Sequence, residues 1–197
     1  HNSVIRPIIS CKENLGVEVD FVGVTKDGFI NPCEVEKLIK SNTKLVVLTH
    51  ASNVIGTVQP IKEIGVICKK HNIFFIIDTA QSAGTIPIDF NEVNASALAF
   101  TGHKSLLGPQ GIGGFIISDE LNKACTTLME GGTGSLSHEI HQPTFMPDKF
   151  ECGTLNMPGI VGLSNAIDFI NEIGINNIKE KNSKLYKRLL NGILNID

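Results

Sequence analysis

A chain of 197 residues with 42% hydrophobic and 19% charged side chains holds enough apolar material for one substantial domain, or for one domain and the start of another, and is too apolar to be disordered. Seventeen basic against twenty acidic side chains leave a formal net charge of -3, which removes the electrostatic case for nucleic acid or an anionic membrane as the main partner. The longest apolar runs are about five residues, far below the roughly 20 of a membrane span, and no signal-peptide pattern opens the chain.

Taken in order, the chain alternates short β-rich runs with helix-like stretches. Residues 17–24 read as a strand closed by the turn residues Asp27 and Gly28. Asn31 and Pro32 supply an N-cap and an N1 proline for a helix through about Lys40. Residues 45–49 form a continuously apolar strand of the kind buried on both faces of a parallel sheet. Pro60 opens a helix in which Ile61, Ile64, Ile67 and Cys68 share one face. Residues 73–77 make a further strand that ends abruptly in Asp78, and residues 97–100 and 114–118 make two more.

Residues 131–156 break this rhythm with Gly131-Gly-Thr-Gly-Ser135 and several prolines, and predict a long ordered loop of functional use. From Pro158 the pattern is helical, with Ile160, Leu163, Ile167 and Ile170 on one face, and a charged helix follows over about 176–194. The expectation is an α/β three-layer sandwich around a mostly parallel sheet. Its organisation is a large domain over 1–157 and, over 158–197, a helical connection toward a second, smaller domain.

The five cysteines (Cys11, Cys33, Cys68, Cys125 and Cys152) are dispersed without CxxC spacing, which argues against a disulfide framework or structural zinc and for a reducing cytoplasm. Cys33 and Cys68 fall on helices and read as packing residues. His138-Glu-Ile-His141 lacks the HExxH spacing of a zinc protease, and no metal site is expected. Neither a GxGxxG turn after a strand nor a GxxxxGK[ST] loop is present, so dinucleotide and P-loop readings lose their support.

In open α/β sheets, ligands sit beyond the carboxyl ends of the strands. The polar segments there are His50-Ala-Ser-Asn53, Asp78-Thr-Ala-Gln81 and Thr101-Gly-His-Lys104. A carboxylate directly after five apolar residues is costly unless a cation or partner meets it. Together with a lysine after the next strand, it suits an imine-forming cofactor. The lysine amine condenses with the aldehyde of pyridoxal phosphate, and the carboxylate keeps the pyridine nitrogen protonated so that the ring accepts electrons. Hydroxyl and imidazole groups one and three residues before the lysine suit the phosphate, and Asn or Gln suits the ring oxygen.

Four segments, Ser52-Asn-Val-Ile-Gly-Thr57, Asp78-Thr-Ala-Gln-Ser-Ala-Gly84, Thr101-Gly-His-Lys-Ser-Leu-Leu-Gly-Pro109 and Phe150-Glu-Cys-Gly-Thr-Leu-Asn156, resemble the class V aminotransferase family of fold type I pyridoxal-phosphate enzymes. Within it they look most like the cysteine desulfurase and selenocysteine lyase branch. The resemblance implies Lys104 as the Schiff-base lysine, Asp78 at the pyridinium nitrogen and His1 stacked on the ring. It implies Asn53 and Gln81 on the phenolic oxygen, Thr101 and His103 on the phosphate, and Ser135 as a phosphate-binding hydroxyl reaching a neighbouring subunit of a homodimer. His50 is expected to be structural or to stand behind the site.

The implied reaction takes sulfur or selenium from cysteine or selenocysteine, leaving alanine and an enzyme persulfide, with a sulfur-acceptor protein as a further partner. The alternatives are an aminotransferase, a β-eliminating lyase, or a catalytically incomplete cofactor-binding or dimerisation domain. The family's upstream phosphate loop, substrate arginine and mobile-loop cysteine have no counterpart here, so the chain reads as the middle of a longer protein. Cys152 stands where the family has a small residue and is expected to pack rather than react.

Overall fold

In the computed structural model, which describes residues 1–196, the short apolar runs become the strands of one sheet. The elements are α1 (Asn2–Leu15), α2 (Pro32–Leu38), β1 (Leu45–Thr49), α3 (Ile61–Lys70), β2 (Phe74–Asp78), β3 (Ala97–Thr101), β4 (Gly113–Ile117), α4 (Asp119–Ala124), α5 (Met157–Ile173) and α6 (Ile175–Leu194). The strand order is β1-β2-β3-β4, with β1, β2 and β3 parallel and β4 antiparallel to β3. Thr49 pairs with Asp78 and Asp78 with Ala99, so the carboxyl ends of the three parallel strands share one edge.

One face of the sheet is filled. Phe75 and Ile77 of β2 are fully buried against Val35 of α2 and Ile61, Ile64 and Cys68 of α3. The spacing of those α3 residues places them on a single stripe, as the sequence indicates, with Ile67 at its half-buried margin. Gly65 lies on the same stripe because a Cβ there would sit 1.9 Å from the carbonyl oxygen of Val93. On α2, Asn31 caps as expected, accepting from the Cys33 amide at 3.0 Å, and Pro32 stands in the first turn. The helix ends at Leu38, short of Lys40, whose amide turns to the Thr43 hydroxyl at 2.9 Å.

The opposite face is only partly covered. Val4, Pro7 and Ile8 of α1 lie across a groove from Val47, Ile76 and Ala99. Leu45, at the start of the edge strand β1, is therefore 45% exposed, and β1 is not buried on both faces. α5 closes the end of the sheet, where Leu163 meets Gly102 and Gly108 so closely that a Cβ at Gly108 would stand 2.9 Å from its methyl carbon. No described helix is long and apolar enough to cross a membrane.

Three segments depart from the expected elements. Residues 17–24 form no strand, because only Val24 among them makes a β-bridge, an isolated one to Ile30. α1 and α4 have no predicted counterparts. α1 carries Pro7 in its interior and buries no residue, although Val4, Ile8, Cys11 and Leu15 recur on one face, while α4 has six residues and is started by the Ser118 cap. Cys33 proves exposed on α2, so it does not pack as expected, whereas Cys68 is fully buried.

The loop from 131 to 156 is irregular but tied down. Gln142 accepts from the Gly131 amide at 3.1 Å and donates to the Asp148 carbonyl at 2.8 Å, and the Gly153 amide donates to the Gly132 carbonyl at 2.7 Å. The buried Lys149 donates to the carbonyls of Asn122 and Cys125 at the end of α4, where a cation also meets the negative end of the helix dipole.

Candidate active site

The carboxyl edge of the sheet opens into a cleft lined by His1, Asn53, Asp78, Gln81, Thr101 and Lys104, with Ser3, Thr49, Ala51 and Ala80 between them. Six of the eight predicted site residues thus meet in one cavity, although they come from four separate places in the chain. His103 lies at its margin, exposed, with Nδ1 3.0 Å from the Thr101 hydroxyl. Ser135 does not line the cleft. Its hydroxyl donates to the Asp148 carboxylate and lies 3.2 Å from the Thr133 hydroxyl, inside the 131–156 loop.

Local backbone geometry explains how each group is held. Asp78 ends β2 and its Oδ1 accepts from the Ala80 amide at 3.0 Å, which fixes the carboxylate over the first turn beyond the strand. The Thr79 side chain and amide both donate to the Ala99 carbonyl at 2.8 Å, locking that turn to β3. Gly84, with φ +91°, closes the Asp78 segment against the lysine loop, and a Cβ there would lie 2.2 Å from the Ser105 carbonyl oxygen.

Lys104 sits in a tight loop braced by Leu107 N–H to the Lys104 carbonyl (2.9 Å) and Gly108 N–H to the Gly102 carbonyl (2.8 Å). Asn53 stands in a turn whose Ser52 hydroxyl accepts from the amides of Val54 and Ile55 at 3.2 Å. His1 caps α1, its Nδ1 accepting from the Ser3 amide at 3.2 Å.

Sequence reasoning missed two supporting residues. Ser3 is identified only once α1 is known to begin beside the cleft. Gln59 accepts from the Ile30 amide at 2.9 Å and donates to the Gly28 carbonyl at 2.8 Å, bracing the Asn53 loop from outside. No local pattern announces that role, because its partners lie about 30 residues earlier in the chain.

None of the cysteines lines the cleft. Cys152 is half-buried beside Gly131, while burial pushes the Cys68 thiol up to about 11 and leaves it unreactive at neutral pH.

His50 is buried behind the cleft, and desolvation lowers its pKa to about 4. The fold is therefore stabilised by the neutral imidazole. That contribution is complete above the unfolded value near 6.5 and is lost as pH falls toward 4. The loss is expected to be about 2 to 3 kcal/mol across this window. Urea midpoints of the full-length protein at pH 7, 5.5 and 4.5 check it, and His50→Gln is expected to flatten this part of the profile. Parallel profiles for the two proteins would contradict the assignment.

The arrangement joins an amine, a carboxylate, two amides and a hydroxyl around one cavity at the end of a parallel sheet. That donor set can hold an aldehyde-bearing heteroaromatic phosphate at its carbonyl carbon, ring nitrogen, ring oxygen and phosphate. The chain is similar to known proteins. A probable cysteine desulfurase of Methanothermobacter thermautotrophicus is 37% identical over 199 residues, covering 100% of this chain and 50% of the relative.

The apo structure of a cysteine desulfurase from Thermococcus onnurineus NA1 superposes with a TM-score of 0.88 at 34% identity, covering 98% of this chain and 48% of that one. SspA in complex with cysteine matches at TM-score 0.74 and 32% identity, over 85% of this chain and 44% of its own. The chain thus spans about half the length of the relatives it matches. The family model for class-V aminotransferases matches residues 1–197, and the chain belongs to that family.

Proposed function

We propose that this chain is the greater part of the cofactor domain of a pyridoxal-phosphate-dependent cysteine desulfurase, which takes sulfur or selenium from cysteine or selenocysteine and leaves alanine. The observation that carries this reading is the convergence of Asp78 and Lys104 with Asn53 and Gln81 in one cleft, in a chain whose relatives bear that name. Residues 1–157 serve as the large domain. The α5–α6 hairpin, turning at Gly174, serves as the connection toward a second domain.

Bound in the cleft, the cofactor supplies an electron sink for the bonds around the substrate Cα. The chain's own groups do the rest. The Lys104 amine anchors the cofactor and, when free, moves the proton at the substrate Cα. The Asp78 carboxylate holds a proton at the ring nitrogen, and the Asn53 and Gln81 amides donate to the ring oxygen. Thr101 and His103 bind the phosphate, joined by Ser135 from the partner subunit of a homodimer. His1 covers the ring face.

With no cysteine in the cleft, the sulfur-accepting thiol is assigned to the full-length protein outside this chain, together with the arginine for the substrate carboxylate. The free thiols support a reducing cytoplasmic setting, and a sulfur-acceptor protein is the expected downstream partner.

The test is product analysis of the purified full-length protein given L-cysteine and a reductant. Alanine and sulfide in equal amounts are the expected result. A new amino acid made only when a keto acid is added would reassign the chain to amino transfer, and pyruvate with ammonia would reassign it to β-elimination.

A further inference from the structure

Among the described residues, the buried polar side chains are His50, Thr79, Ser82 and Lys149. Thr79 and Lys149 bond backbone carbonyls only, whereas His50 and Ser82 bond each other, with Nδ1 2.8 Å from Oγ across 32 residues of chain, and the Ser82 hydroxyl lies a longer 3.4 Å from the Thr79 carbonyl. His50 is 3% and Ser82 0% exposed, so water does not compete for this contact. The two residues stand just beyond the ends of β1 and β2. There the last backbone link between the strands runs from the His50 amide to the Asp78 carbonyl at 2.9 Å. Past that point nothing in the sheet ladder holds the two loops together, and both carry groups of the cleft. Asn53 comes three residues after His50, and Gln81 immediately precedes Ser82.

We propose that His50 and Ser82 are a positioning pair, whose side-chain hydrogen bond sets the separation of the Asn53 loop and the Asp78–Gln81 turn so that both amides reach the ring oxygen of the cofactor together. Neither residue lines the cleft, so neither touches cofactor or substrate. This inference rests on the reading of the cleft as a pyridoxal-phosphate site. It adds that the two amides act as a pair whose spacing is set from behind. Loss of the Ser82 hydroxyl takes away the buried partner of His50 Nδ1, and the two loops are expected to separate in response, whereas loss of His50 leaves Ser82 its longer bond to the Thr79 carbonyl.

The experiment compares the full-length wild type with Ser82→Ala, His50→Gln, the double variant and Ser82→Thr, which keeps the hydroxyl. In the apoproteins, hydrogen exchange of amides 52–57 and 79–83 is expected to quicken about tenfold in Ser82→Ala, with β4 unchanged. Titration with pyridoxal phosphate is expected to give a Kd raised about tenfold and a shifted visible band. The double variant is expected to be no worse than the weaker single, and Ser82→Thr to retain the wild-type band.

Wild-type cofactor uptake matched by Ser82→Ala, with only the melting temperature lowered, would reduce the pair to packing and overturn the proposal alone. Failure of the wild type to take up cofactor would overturn the site reading and this inference with it. If Ser82→Ala loses its fold, His50→Gln against Ser82→Thr gives the same comparison of Kd and band.

Discussion

In the full-length protein, Lys104→Ala is expected to lose the covalent hold on pyridoxal phosphate and to lower turnover of cysteine by at least about 10⁴-fold, because the proposed function gives one side chain both the anchor and the base. The lysine loop does not depend on the amine. Its bracing bonds are made by the backbone of residues 102–108, and among the described residues the Lys104 amine makes no hydrogen bond or ion pair. The melting temperature of the apoprotein should therefore stay near that of the wild type. Borohydride reduction followed by peptide mass mapping checks the assignment directly: a pyridoxyl mass increment is expected on the peptide containing Lys104 and none in the variant. An increment on another lysine would displace Lys104 from its role.

Asp78→Asn isolates charge from shape. The amide oxygen can still accept from the Ala80 amide, so the turn beyond β2 keeps its geometry, while the negative charge proposed to face the ring nitrogen is gone. A loss of preorganised electrostatic support of this kind is worth about 10²–10³-fold in turnover. The expected result is a fall in kcat of that order with cofactor still bound and the fold intact. A cofactor analogue methylated at the ring nitrogen carries its positive charge without needing a carboxylate, and it should restore part of the lost rate to the variant. Wild-type kcat in Asp78→Asn would show that the carboxylate is only a turn former.

The site was legible in the sequence wherever a polar residue directly followed an apolar strand. Asp78 directly after residues 73–77, and Thr101 directly after residues 97–100 with Lys104 three residues on, are of that kind, and the topology brings them to one edge. Residues 17–24 carry the right alternation for a strand, but alternation states only what a strand would bury, and the fold offers this segment just the Val24–Ile30 bridge. α1 escaped for a different reason: Val4, Ile8, Cys11 and Leu15 do recur at helical spacing, but Pro7 in their midst reads as a helix breaker. Ser135 shows a further limit: its loop is closed by contacts such as Gln142 with Asp148, and the motif gives no sign of which cleft the hydroxyl serves.

The main buried cluster is drawn from residues 35 to 98 and contains none of the groups proposed to hold the cofactor. On the proposed function, completing this interior and loading the vitamin derivative are expected to be separable events, with the apoprotein able to take up and surrender its cofactor without reopening that interior.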